Sequence, residues 1–478
     1  MLLKRDQPVL TIITAHPLSV VGACLVSTAA ICWILALPAQ VRGHVTNPYI
    51  GILLFVLLPI LFLGGLALIP LGVYLARRRV RKGLADVVVD RPTSIRRLAV
   101  FLAVTTFLNL VIGSQLTYRA VEHMESVQFC GQTCHVMTPQ FTAYNNFVHS
   151  RVLCVDCHVA SGASGWFESK LAGTRQLLAV AFNSYPRPIQ SAMESNRLVP
   201  ATETCEQCHW PQIGGTVRLR LIPNYKEDEQ NTPSHSVLLM RISGATTSGI
   251  HGSHFGPGVS IRYAASDAKR QAIPWVEYRN ERTGTVRTYI GSEAKAGEVA
   301  ALPRHEMQCV DCHNRPAHGF ELPERAVNRA IAMGEISGGL PFVKKASLEL
   351  LKGEYGSQQE AGRKIVEGLK NFYRAEHPAT FTQSLGDVER AATTISSIYN
   401  RNVFPDLKVT WGTYPNNLGH TDFPGCFRCH DESHTTADSK TITQDCTSCH
   451  EMLAVDDPAP EVLKTLNLSE RIGELQRR

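Results

Sequence analysis

Six runs in this chain set two cysteines close together with a histidine directly after the second. They are Cys130-Gly-Gln-Thr-Cys134-His135, Cys154-Val-Asp-Cys157-His158, Cys205-Glu-Gln-Cys208-His209, Cys309-Val-Asp-Cys312-His313, Cys426-Phe-Arg-Cys429-His430 and Cys446-Thr-Ser-Cys449-His450. Five follow C-x-x-C-H and the first follows C-x-x-x-C-H. Two thiols at this separation can form thioethers to the two vinyl groups of one haem, and the adjacent histidine then lies under the ring to ligate iron. A zinc ribbon needs four protein donors per site and has no reason to demand histidine after every pair, while a redox dithiol normally occurs once. The pattern therefore points to six covalently bound c-type haems, which use twelve of the fourteen cysteines. Cys24 and Cys32 remain, inside an apolar stretch where they read as inert small residues.

A haem that only carries electrons needs a second axial ligand. Beyond residue 117, ten histidines lie outside the motifs: His123, His149, His235, His251, His254, His305, His318, His377, His420 and His434. His318 and His434 follow motif histidines by five and four residues. Such a tether spans at most about 17 Å, too little to wrap round the same macrocycle, so each is expected to ligate a neighbouring haem. His149, before Cys154, and His420, before Cys426, are the next candidates. The His251-Gly-Ser-His254 pair is expected to supply one more ligand, with His254 the selected member. At the first motif, the wider cysteine spacing alters the approach of His135, and Met137 is within reach of the iron instead.

These ligands must be held by elements, and the chain supplies a membrane anchor first. Residues 18–37, 50–76 and 98–116 are predominantly apolar and near or above the ~20 residues that a spanning helix needs. The loop after the second carries Arg77-Arg78-Arg79-Val80-Arg81-Lys82, then Arg91, Arg96 and Arg97, whereas the 39–49 loop holds only Arg42. By the positive-inside rule, the N-terminus is cytoplasmic and everything after residue 117 lies on the periplasmic side of a bacterial inner membrane. A cleaved signal peptide is disfavoured, because the first apolar run starts late and a longer span follows.

Successive motif histidines are 23, 51, 104, 117 and 20 residues apart, so the haems fall into two close pairs with longer connections between. Short runs rich in β-branched and aromatic residues at 217–222, 236–242, 259–263, 274–278 and 285–290 predict a small antiparallel β insertion. Helical periodicity returns at 324–332, 358–374, 388–399 and 460–476. The expected fold class is mainly α: three transmembrane helices plus a multihaem domain with sparse secondary structure, because haem faces replace side-chain core. The expected domains are an anchor over 1–117, haems 1–3 over 118–215, the β insertion over 216–300, and haems 4–6 over 301–478. The net charge of +6 is modest and the basic residues form no stripe interleaved with aromatics, so nucleic acid is discounted as a partner.

From the third apolar run through Phe129-Cys-Gly-Gln-Thr-Cys-His-Val-Met137, Tyr144, His149, Cys154-Val-Asp-Cys-His-Val159 and Cys205-Glu-Gln-Cys-His209, the chain resembles the NapC/NirT family of membrane-anchored quinol dehydrogenases. That family includes the membrane subunit of cytochrome c nitrite reductase. The resemblance implies that Met137 ligates the first haem and that Lys170, twelve residues past His158, lines a quinol site. The family's acidic residue about seven positions later is Leu177 here, and Glu168 is the available substitute.

The leading reading is a quinol dehydrogenase that draws on the membrane quinol pool and relays electrons to a periplasmic or membrane-bound redox partner. A second is an electron-relay subunit of a larger respiratory complex without its own quinone site; haem reduction by a menaquinol analogue without partner subunits separates the two. A third is a terminal reductase with an open iron position, which a high-spin signal together with substrate turnover would reveal.

Overall fold

The computed structural model describes residues 16–19, 21–23, 25–27, 29–30, 58–82, 115, 118–119, 121–133, 135–160, 162–194, 198–209, 217–243, 248–466 and 468. The chain forms two compact units, Met1–Thr133 and Cys134–Arg478.

In the first unit, α1 (Leu58–Arg81) is long and apolar enough to cross a membrane over Leu58–Arg79. Its last turn carries Arg78, Arg79 and Arg81, which complement the negative helix end and mark the lipid boundary. A shorter apolar helix, Pro17–Ser27, packs against it through small residues. A Cβ on Gly22 would lie 2.7 Å from the Gly65 carbonyl oxygen, and one on Gly65 would lie 2.8 Å from that of Gly22. Ser19 Oγ donates to the Ile69 carbonyl at 3.3 Å. Close backbone approach through small residues is how helices associate in lipid, where burying apolar surface gains nothing. Among the described residues α1 is the one helix that meets the length and composition for spanning. Half of the first expected span (18–37) and, apart from Gln115, the whole third span (98–116) lie outside the described residues.

The second unit contradicts the expectation of sparse regular structure. The described residues are about half helical. Along the chain come α2 (Thr138–Asn145), α3 (Gly162–Ala181) and α4 (Gly249–Phe255). Then follow α5 (Pro323–Ala332), α6 (Val343–Leu351), α7 (Gln358–Glu376) and α8 (Leu385–Asn402). The last four bury one continuous side-chain core that includes Val327, Leu340, Ile365, Leu369, Tyr373 and Ile395, all at most 2 % exposed. In α7 the inward residues Ala361, Ile365, Leu369 and Tyr373 recur every fourth position, which puts them on one face. Ser357 caps its start by accepting from the Glu360 amide at 3.1 Å. The long stretch between the fourth and fifth motifs thus builds its own apolar core from side chains.

Among the described residues, seven strands make two antiparallel sheets. The first is ordered β1 (Val217–Tyr225), β2 (Pro233–Arg241), β7 (His450–Asp457); the second β5 (Thr285–Ile290), β4 (Trp275–Asn280), β3 (Val259–Ala264), β6 (Arg304–Glu306). The expected strands form, but not as one self-contained insertion: β2 pairs with β7, directly after the last motif, in the register Met240↔His450 to His235↔Asp457. Of the terminal helix expected over 460–476, Glu461–Thr465 is helical and most of the rest lies outside the described residues.

Candidate functional site

Local backbone explains why each motif presents its donors together. Cys154–His158 and Cys309–Cys312 are short α-helical turns, and Cys205–Gln207, Gly425–Arg428 and Cys446–Ser448 are 3-10 turns. The histidine amides of His209, His313 and His430 donate back to the first cysteine's carbonyl at 2.8, 2.8 and 3.1 Å. Residues at i, i+3 and i+4 of such a turn share one side. Asp156 and Asp311 close their turns by accepting from the Leu153 and Gln308 amides at 3.1 and 2.8 Å. Gly425 holds φ +51°, and a Cβ there would run into the Gly419 carbonyl oxygen. Only glycine lets Cys426 dock against the loop that carries His420, through a 2.9 Å Cys426 N–H to Gly419 carbonyl bond.

Five motif histidines each face one histidine from elsewhere. The ring centres are 6.2 Å apart for His158 and His318, 6.0 Å for His209 and His149, and 6.3 Å for His313 and His251. They are 5.9 Å apart for His430 and His254 and 6.1 Å for His450 and His420. Two metal–imidazole bonds of about 2 Å, each with about 1 Å from nitrogen to ring centre, sum to about 6 Å. The spacing therefore fits one iron between each pair.

Hydrogen bonding sets the tautomer that such a ligand needs. Nδ1 of His149 donates to the Pro316 carbonyl at 2.8 Å, that of His254 to Ile250 at 2.7 Å, that of His318 to Gln140 at 3.0 Å and that of His430 to Thr443 at 2.8 Å. Each bond leaves the Nε2 lone pair available for metal and fixes the ring. Burial pushes His158, His251, His254, His313 and His450 below the usual histidine range, and His318 down to about 4. The neutral, ligating form is favoured in every case.

Two expectations about ligands need correction. His434 faces no motif histidine; it is 3 % exposed, with Nδ1 2.7 Å from Asp431 Oδ1 and Nε2 2.6 Å from the Ile273 carbonyl oxygen. Both ring nitrogens are turned toward protein acceptors, so neither is directed at a motif turn. His251 fills the fifth position, so both histidines of the His251–His254 pair face motif rings. The overlooked signal was their i, i+3 spacing, which lets one helical turn serve two centres. Of the remaining histidines, His235 is buried on β2, His305 lies 5.5 Å from the Tyr263 ring, His377 packs on Phe342 and Phe372, and His123 meets Phe129.

Successive attachment turns adjoin one another. Burial raises the Cys157 thiol, and nearby Cys205 raises it further. Cys205 and Cys309 are in hydrogen-bonding reach, which lowers the Cys205 thiol to about 6 and raises Cys309. Burial pushes Cys312 up to about 11 with Cys426 adding to it, and Cys449 is likewise raised by burial and then Cys426. The second to sixth motifs thus neighbour one another in chain order.

Cys134 lies outside the described residues, and Met137 ends a 3-10 turn, His135–Met137, half-buried. Lys170 sits on α3, half-buried, its Nζ 5.4 Å from the Trp166 ring centre. Glu168 is exposed two positions earlier, which on a helix turns it about 200° away. It therefore lies on the opposite face of α3 from Lys170.

The family described as NapC/NirT cytochrome c family, N-terminal region, matches residues 93–212. The chain is 36 % identical over 448 residues to the cytochrome c-type protein ImcH of Geobacter sulfurreducens, covering 92 % of this chain and 88 % of that one. No solved structure matches it. Repeated haem-binding motifs, paired imidazoles and a relative aligned over nearly its whole length lead to one conclusion: the chain belongs to the NapC/NirT-like multihaem cytochromes c.

Proposed function

We propose that this cytochrome carries six covalent haems, oxidises quinol at the outer face of the bacterial inner membrane and delivers the electrons to a periplasmic or membrane-bound redox partner. Bound haem supplies one-electron redox chemistry at each centre. The observation that carries the reading is the set of five histidine pairs on motif turns that neighbour one another in sequence order, which suits a relay with closely spaced centres. Were haem held at these five turns, each histidine pair would offer it two imidazoles, which disfavours a terminal reductase with an open iron position.

Oxidising a quinol releases two protons with its two electrons, so the site needs a polar group beside an apolar entrance. Lys170, framed by the exposed apolar residues Trp166 and Leu171, supplies that combination and orients a quinol hydroxyl. Met137 supplies the thioether ligand of the first centre, which raises its potential toward the quinol donor. Lys170→Ala is expected to slow haem reduction by a menaquinol analogue at least about tenfold, the loss of one charged hydrogen bond, while dithionite reduction stays complete. Stopped-flow haem absorbance checks this; an unchanged quinol-driven rate would remove the quinol site from α3.

A further inference from the structure

Between the cysteines of the fifth motif stands Arg428, and its guanidinium ties the fifth attachment turn to the fourth. Nη2 donates to the Asp311 carbonyl at 2.6 Å, inside the fourth motif; Nη1 donates to the Arg270 carbonyl at 2.8 Å; Nε donates to Gly425 at 2.8 Å. Asp311 is itself buried and fully engaged. Its carboxylate accepts from the Tyr263 hydroxyl, from Arg270 Nη1 at 3.1 Å and from the Gln308 amide at 2.8 Å, and its carbonyl also accepts from Asn417 Nδ2 at 3.0 Å.

The charge balance of this cluster is uneven. Arg270 and Asp311 neutralise one another. Arg428's three bonds all end on backbone carbonyls, and no carboxylate forms an ion pair with it among the described residues. One uncompensated, half-buried positive charge is thereby fixed on the fifth attachment turn and bonded to the backbone of the fourth. Inside a protein such a charge is weakly screened and acts on any centre that gains negative charge. Reduction of a haem is such a gain.

We infer that Arg428 is a positioning residue that locks the fourth and fifth haem turns together and, by its fixed charge, holds the potentials of those two haems above what their histidine pairs alone would give. It makes the middle of the relay a place where electrons collect. The inference rests on the part of the proposed function that places haem at the fourth and fifth motifs.

The test uses the full-length, detergent-purified cytochrome and its Arg428→Gln, Arg428→Met and Arg428→Lys variants, each titrated by spectroelectrochemistry. In Gln and Met, the reduced-to-oxidised ratio of one or two haems at fixed ambient potential is expected to fall about tenfold, about 59 mV for a one-electron couple, while the other haems stay put. Lys keeps the charge without the fork and is expected to retain most of the potential. A titration unmoved in Gln, or a fall in Lys equal to that in Gln, overturns the inference. Should the neutral variants not assemble, Lys against wild type decides alone: a retained potential supports it and a tenfold fall ends it. Intact mass of the wild type counts haems separately, so fewer than six would sink the underlying reading and not the charge argument.

Discussion

At the scale of single residues, the molecule separates histidines that look alike in sequence by what their nitrogens face. His251 presents its ring to His313, while His434 spends both nitrogens on Asp431 and Ile273. His251→Ala is therefore expected to convert one low-spin haem to high spin, read by EPR at low temperature, whereas His434→Ala leaves the low-spin count unchanged. The His434 site is instead a stability element. Burial alone would raise Asp431, but hydrogen bonds from His434 and Ser433 overcome it and hold the carboxyl below its usual value. A folded value below the unfolded one gives stability that is present above about pH 4 and fades as pH falls through the depressed value. His434→Ala should lose its destabilising effect in acid, measured as thermal midpoints at neutral pH and near pH 3. The six motif runs were legible from spacing alone; the histidine that faces each motif histidine was only partly so, because the facing rings stand up to 176 residues apart in sequence.

At the scale of elements, sequence periodicity finds what has one buried face and misses what does not. Helices α5, α7 and α8 repeat apolar residues every third or fourth position, and their expected limits differ from the observed ones by a few residues. α3 escaped notice because it opens with Gly162, Ala163, Ser164 and Gly165 and then exposes Phe167, Leu171, Leu177 and Leu178 alongside Glu168 and Arg175, so no period separates a buried apolar face from a polar one. β7 escaped because the strand it pairs with, β2, lies over 200 residues earlier and its first residue, His450, is also a motif histidine. The helical core makes a separate prediction. Leu369 is fully buried among α5 to α8, so Leu369→Ala is expected to cost about 2–5 kcal/mol, seen as an earlier helical transition in urea by far-ultraviolet dichroism. The haem Soret spectrum of the native variant should be unaltered, since this core is built from side chains.

At the scale of the whole chain, the expectation that haem faces would stand in for a side-chain core does not describe the chain throughout. Between the fourth and fifth motifs the chain instead inserts a helical core that shares no motif residue. The β-rich stretch is closed by a strand from the far C-terminal end, so residues 216–300 do not form a separable module. A chain truncated after Thr443 loses the sixth motif and β7 together. It is expected to lose one haem by intact mass and to expose β2's edge, promoting self-association on size-exclusion chromatography.

The short helix α4 has a consequence of its own. With His251 and His254 three positions apart on a single turn and facing His313 and His430, two of the proposed irons would hang from one seven-residue spindle. A single inserted residue between them would swing the second imidazole about 100° round the axis, so an insertion there would unseat a centre. Any drift in this segment is confined to exchanges that preserve its count, and whatever tilts the spindle tilts both irons in step.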